Sequence, residues 1–515
     1  MRVPEGNVHR CAGLPAVRHR TFPRETFQFE IEKGLPLWLK RGANQTLRPI
    51  NERPPDVRRS RTDLRARVNG DLHLEFTDVA LTSYAGLELF GRYLRATGFN
   101  AVVRAGFAGT TAWGDFGAVA MVRLLIALLV VGGRRLRHLA FVEDDPVFRR
   151  FCEVRLVPTA RTLSRWLQAF TMTTVQALQQ INTTVIARVL GTLGVRTWTI
   201  DVDGVVVSTG LQVERAFRGF NPHHRKVPSY YPIMAHLAET THVLRVKNRS
   251  GNVHDGKAGL PFLRDLWTQL GTLLPRGGRV RFRMDGAFFR QDVLQWLAAR
   301  DAGYAIKVPF YRWLDLQQYI RAQPVWQPVA PDVTGFVVPQ AATPWGRPVR
   351  VAIYRKHVHH LATKNYQLDL FDPNDGHYEY SAVTSNLDIT LANLWRFTCG
   401  RGNHEKTIAQ LKSGLAFHSV PTMTYAANSA WQHLVVLTHN LLTNFQIETG
   451  AVRRTPTRKR TALPLLQTIQ SLRFTFFHRA AQLVRPRGAL RLRLTDNLET
   501  RRNYERVARA LARAA

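Results

Sequence analysis

A few acidic residues stand in a strongly basic chain at places where carboxylates could act together. Asp201 and Asp203 lie in "TIDVDGVVV", Asp285 follows "VRFRM", and Glu405 sits in "RGNHEKTIAQLK". Carboxylates repel phosphate, so acids gathered where a basic protein meets a polyanion call for a metal cation. Hard divalent ions take oxygen ligands, and Mg2+ is usually held by one or two carboxylates plus substrate phosphates. A pair of such ions stabilises the entering and leaving oxygens of an in-line phosphoryl displacement. Spacing alone also accommodates unrelated surface acids. Arg401, Glu405, Ile408 and Lys412 fall on one face of a predicted helix, where an i,i+4 ion pair contributes about 0.2–0.5 kcal/mol.

The background charge favours the first reading. The 515 residues carry 72 Lys+Arg and 37 Asp+Glu, a net charge of +35. Self-repulsion on that scale is offset most readily by a nucleic acid. The length predicts roughly two to four domains. Cys11, Cys152 and Cys399 are too few and scattered for a disulfide framework or a cysteine zinc site, which fits a reducing, cytoplasmic setting. No apolar leader opens the chain. The most apolar run, "AVAMVRLLIALLVVGG", is broken at Arg123 and falls short of the ~20 residues a membrane span needs. It reads as a buried core helix. No complete GxxxxGK[ST] loop is present, so ATP dependence is not expected.

The elements that must position the acids follow from periodicity. Residues 1–75 are basic, rich in Pro and Arg and without a sustained period, which predicts a disordered arm. Residues 76–194 read as a helical DNA-binding domain. Leu87, Phe90 and Leu94 recur at helical spacing, and Thr159 or Thr162 can cap a helix carrying Arg161 and Arg165. That helix suits a DNA groove or a plain bundle equally. After Gly194 the period becomes two. In "RTWTIDVDGVVVST", Trp198, Ile200 and Val202 take one side and Thr199, Asp201 and Asp203 the other. The order over 195–315 is strand, hairpin, helix, strand, helix, strand. Residues 316–380 hold seven prolines and short β-rich runs, and read as an all-β insertion. Residues 381–450 resume the core with the Glu405 helix, and 451–515 form a basic, helical C-terminal region.

Segments "TIDVDGVVV", "RGFNPHHRKVPSYYPIMAHL", "LRVKNRSGNVHDGKAG", "VRFRMDGAFFRQDVLQWL", "EYSAVTSNLD" and "LWRFTCGRGNHEKTIAQLKSGLAFHSVPTMTYAANSAW" occur in an order and at intervals that resemble bacterial insertion-sequence DDE transposases. The resemblance is to the insertion sequence 1380 group. It implies an α/β, ribonuclease H-like core with a mixed sheet interrupted by a β insertion before the last acid. It implies Asp203, Asp285 and Glu405 as catalytic metal ligands for two Mg2+ or Mn2+ ions. It also implies Arg401 and Lys412 as contacts to transposon-end DNA, and at least a homodimer in the active complex. The family signature Tyr, two residues, Arg, three residues, Glu, six residues, Lys is matched by Arg401, Glu405 and Lys412, with Thr398 at the Tyr position. Asp201 competes with Asp203 for the first place. Asp203-Gly204 suits the family pattern better, although Val205 stands where a hydroxyl is usual.

Weaker candidates accompany these. Arg225 and Lys226 with Tyr230 and Tyr231 could grip a DNA strand by charge and stacking, or form a basic loop with buried Tyr. His357, His359 and His360 read as a surface strand, and Asn252, His254 and Asp255 have no assigned role. The expected activity is cleavage at terminal inverted repeats followed by transfer into target DNA, with no membrane partner. The rivals are a related nuclease without strand transfer and a non-catalytic DNA-binding descendant.

Overall fold

A computed structural model describes residues 62, 65, 71–110, 114–219, 226–253, 255–275, 277–310, 314–343, 345–357, 377–452 and 461–514. The chain divides into two units, Met1–Phe76 and Thr77–Ala515. The arm expected over residues 1–75 lies almost wholly outside the described residues.

At the centre of the second unit is a nine-stranded sheet. The alternating segment 197–204 forms β2 (Thr197–Gly204), preceded by a short β1 (Leu81–Thr82). Two-residue strands β3 (Val207–Ser208) and β4 (Ser229–Tyr230) pair separately. The expected hairpin is β5 (Ile233–Leu237) and β6 (Val243–Lys247), turning through Thr241 at φ 65°. Then come β7 (Arg279–Met284) and β8 (Gly303–Val308). The spatial order β6-β5-β2-β7-β8 has antiparallel β2–β5 and β5–β6 pairs and parallel β2–β7 and β7–β8 pairs. In chain rank this is 3-2-1-4-5, a mixed α/β sheet of ribonuclease H-like type.

The segment expected to be all-β differs in one way: it opens with a helix, Leu316–Ala322, capped by Asp315. Its strands are β9 (Gln327–Ala330), β10 (Val333–Ala341) and β11 (Val349–His357). They join the core sheet through β12 (Tyr378–Ser385), which pairs antiparallel with β8. An open β8 edge would leave a row of unpaired backbone groups, and residues Ala382–Ser385 of β12 cover it.

The helical region holds α1 (Gly86–Ala96), α2 (Phe99–Phe107), α3 (Ala118–Val130), α4 (Pro146–Cys152), α5 (Ala160–Gln168) and α6 (Met172–Leu190). Leu87, Phe90 and Leu94 are fully buried, as their spacing requires. The apolar run is α3. Its Arg123 is buried too, and donates to the Phe151 carbonyl at 2.6 Å and to Asn100 at 3.1 Å. No described helix is long and apolar enough to cross a membrane.

This region shares one core with the later part of the chain. After α7 (Asp255–Leu273), α8 (Gln291–Ala298), α9 (the Leu316–Ala322 helix), α10 (Leu391–Cys399) and α11 (Gly402–Ala409) comes α12, Tyr425–Glu448. Helix α12 packs against α6, α3 and β6. Side-chain amides close the β6 edge. Asn440 accepts from Val243 N at 2.9 Å and donates to Val243 O at 2.8 Å, while Gln179 and Gln269 donate to Leu244 O at 2.9 and 2.8 Å. The C-terminal region, expected to be helical, holds a helical segment (Ile469–Leu472 running into a π-turn, Arg473–Phe477) and then the hairpin β13 (Ala481–Val484) and β14 (Arg491–Leu494), which pairs with β1. Helix α13 (Leu498–Ala514) comes last.

Candidate functional site

Asp203 and Asp285 come together through strand register. Parallel β2 and β7 pair Asp201 with Arg283 and Val202 with Met284. Asp203 and Asp285 are the next residue along each strand, and paired strands lie about 4.8 Å apart. Asp285 ends its strand and caps the following turn, accepting from Ala287 N at 3.1 Å. Asp203 accepts from Gly204 N at 2.9 Å. Gly204 is required here, since a Cβ would lie 2.4 Å from the Tyr231 ring. Tyr231 is thus held beside Asp203, whereas Tyr230 is fully buried and donates to the Glu214 carbonyl at 2.6 Å. Lys226 is exposed, and Arg225 lies outside the described residues.

Asp201, two residues before Asp203, has a different environment. It is fully buried, and both its oxygens accept from Arg283, at 2.6 and 2.7 Å. His236 Nδ1 lies 3.5 Å away. Burial alone would raise the Asp201 carboxyl pKa; the Arg283 charge and His236 outweigh it and hold the carboxyl below its ordinary range. Arg283 also donates to the Phe397 carbonyl at the end of α10, at 2.9 Å. Gly400 leaves room for this, because a Cβ there would meet the Arg283 guanidinium at 2.0 Å. His236 Nε2 meets Thr407 Oγ1 at 3.0 Å, and its ring lies 5.3 Å from that of His404. Burial, then the neighbouring His236, lower the His404 pKa to about 3, so its imidazole is neutral. This network ties α10 and α11 to the sheet.

Helix α11 bears Glu405 in its first turn, exposed to solvent. The i,i+4 pair with Arg401 is not formed. Arg401 instead reaches Asp203 Oδ2 at 2.5 Å, with the two side chains 23% and 20% exposed. The single helical face predicted for Arg401–Lys412 is also broken. Residues Gln410–Gly414 form a π-helical turn, which holds Lys412 half-buried and offset from the α-helical stripe. Burial lowers the Lys412 pKa. Thr398, at the position of the family Tyr, donates its hydroxyl to the Leu394 carbonyl at 2.8 Å.

The donor set suits a hard divalent ion. Asp203 and Asp285 offer carboxylate oxygens on neighbouring strand ends, and Asp203 already holds a cation, the Arg401 guanidinium. Among the described residues, no three His, Cys, Asp or Glu side chains gather closely enough to hold a metal unaided. Two carboxylates completed by substrate phosphates is the usual Mg2+ arrangement. Sequence reasoning missed Arg283, His236 and His404. The available signal was the cationic face of "RVRFRM", which the parallel register sets against Asp201.

Of the other candidates, Arg161 and Arg165 are exposed on α5. Leu163, Trp166 and Leu167 are buried on its inner face, and Thr159 accepts from Thr162 N to cap it. His357 ends β11, while His359, His360 and His254 lie outside the described residues.

With the acids placed, residues 65–515 match the family described as Transposase DDE domain group 1. The chain belongs to that family of DDE transposases. No curated protein matches it. Among solved structures it is similar to a piggyBac transposase in a synaptic complex with hairpin DNA, determined by cryo-EM. The identity is 10%, the coverage 78% of this chain and 83% of that one, and the TM-score 0.36.

Proposed function

We propose that this transposase cleaves DNA at the ends of a mobile element and transfers the freed 3′-OH into target DNA. In the first step water attacks phosphorus and a 3′-oxygen leaves. In the second, the new 3′-OH attacks a target phosphodiester and displaces another 3′-oxygen. The observation that supports this is the β2–β7 register, which runs up to the residue before Asp203 on one strand and before Asp285 on the other, with Arg401 at the start of α11 paired to Asp203. Asp203, Asp285 and Glu405 would hold Mg2+ or Mn2+ ions, which when bound supply charge stabilisation for the entering and leaving oxygens. The chain's own contribution is positional. The Asp201–Arg283–His236 network fixes β2, β7 and α11 relative to one another, and Arg401 and Lys412 offer cations to end-DNA phosphates. Arg161, Arg165 and Lys226 are proposed as further DNA contacts, since all three are exposed.

The finer placement is the insertion sequence 1380 group of bacterial elements, supported by the six ordered motifs. Pairing two ends calls for at least a homodimer, acting in the cytoplasm. The test incubates purified chain with Mg2+, donor DNA bearing the element's terminal inverted repeats, and a target plasmid. Joined donor–target products that vanish with chelator are expected. Cleavage without joining reduces the reading to a nuclease, and neither product overturns it.

A further inference from the structure

The last helix, α13, is amphipathic in a way the catalytic reading does not use. Val507 and Leu511 are buried, and the Tyr504 hydroxyl donates to the Phe476 carbonyl at 2.9 Å. Away from that face, Arg506, Arg509 and Arg513 recur at helical spacing, all exposed. With Glu448, Thr449, Gly450 and Ala510 they line an open cleft of about 500 Å³.

The charge of this cleft is unbalanced. Its one carboxylate among the described residues, Glu448, is already engaged: it accepts from the Tyr93 hydroxyl at 2.5 Å and pairs with Arg188. Among the described residues, Arg506, Arg509 and Arg513 have no carboxylate partner; Arg506 reaches Gly450 O and Asn503 Oδ1 at 3.4 and 3.5 Å, and Arg509 reaches Glu505 O at 3.2 Å. Like charges one turn apart destabilise a helix, so the arrangement favours an anionic ligand. Guanidinium forks match phosphate oxygens in two-point contacts. Arg506 to Arg513 spans roughly 10.5 Å of helix axis, and a DNA strand carries a phosphate every ~3.4 Å of its own axis. Among the described residues no aromatic ring lines the cleft, so these offer no stacking platform for bases.

From these observations we infer that the cleft between α13 and the end of α12 binds the phosphodiester backbone of duplex DNA without regard to sequence. The inference rests on the transposase reading, but none of its residues belongs to the proposed catalytic set. The experiment measures binding of the full chain to a 30-base-pair duplex of arbitrary sequence across a NaCl series. The variants are R506A/R509A/R513A, the charge-retaining R506K/R509K/R513K, and R509A/R513A, which spares the Arg506 contact to Gly450. Each lost phosphate contact reduces the slope of log K against log salt by about 0.9. The triple Ala variant should therefore lose roughly 2.7 of slope and R509A/R513A roughly 1.8, while the triple Lys variant keeps the wild-type slope. An unchanged slope in folded R509A/R513A, with wild type binding normally, overturns the cleft alone. A wild-type chain that binds no duplex overturns the transposase reading and the cleft with it.

Discussion

Arg401, at the start of α11, forms its ion pair with Asp203 at the end of β2 and not with Glu405, its neighbour one turn along. One guanidinium therefore occupies a carboxylate that the proposed metal also needs, while being offered to DNA phosphate. The two roles are compatible if phosphate takes Arg401 away as metal takes Asp203. Arg401→Ala should then raise the Mn2+ affinity of the DNA-free protein by roughly two- to fivefold, the worth of a partly exposed ion pair. It should also cut the salt slope of end-DNA binding by about 0.9. Calorimetric titration with Mn2+ checks the first effect. A weakened Mn2+ affinity would mean that Arg401 assists the site instead of screening it.

Asp201 and Asp203 are two residues apart, yet substitution should separate them. Asp201→Ala leaves Arg283 buried without its carboxylate partner, and breaking such a pair costs about 3–5 kcal/mol. Asp203→Ala removes a partly exposed group and should change stability by about 0–1 kcal/mol. Asp203→Ala and Asp285→Ala should both abolish metal-dependent cleavage while DNA binding persists. Urea unfolding, run beside a cleavage assay, distinguishes the pair. Full cleavage by Asp203→Ala, with cleavage lost in a folded Asp201→Asn variant, would transfer the catalytic role to Asp201.

The buried histidines set an acid limit. Burial lowers the pKa of His242 and His433 to about 3 and that of His439 to about 4, from an ordinary value of 6.5. Their folded values are depressed, so the unfolded chain binds more protons between pH 6.5 and about 4. The stability they contribute is present above pH 6.5 and is lost as pH falls through that window. Glu239 acts in the opposite sense: burial raises its pKa from 4.5 to about 7, so its contribution is lost as pH rises across 4.5–7. The melting temperature should fall below pH 6.5. Glu239→Gln should make that fall steeper by removing the opposing contribution; an unchanged or shallower acid limb counts against these assignments.

Much of the core was legible because it rests on short periods. Alternation in "TWTIDVDG" and "RVRFRM" marked β2 and β7, and the apolar run with one Arg marked α3. The sequence did not show that the Asp201 face of β2 is also buried, because its covering partners are distant. Arg283 lies 82 residues away and Thr407, which meets His236, 171 residues from it. Nor did periodicity reveal the π-turn at Gln410–Gly414, where one extra residue per turn leaves composition unchanged. The 316–380 segment was read as all-β because the helix Leu316–Ala322 is only seven residues long, too short to show a period.

That π-turn separates the surroundings of Lys412 from those of Glu405. Glu405 is exposed and Lys412 is half-buried with its pKa lowered by burial, so the two should respond differently to truncation. If Lys412 contacts a phosphate, Lys412→Ala should weaken binding about equally for all DNA sequences and reduce the salt slope by about 0.9. Glu405→Ala removes a negative charge close to the DNA, so affinity should hold or rise while cleavage stops. A salt titration of end-DNA binding by fluorescence anisotropy, with a parallel cleavage assay, reads both. Should Lys412→Ala lose stability but keep the wild-type slope, its aliphatic stem is packing against the π-turn and its charge does not reach DNA. Should Glu405→Ala cleave normally, the third ligand must come from elsewhere, and the exposed face of α11 becomes an ordinary helix surface.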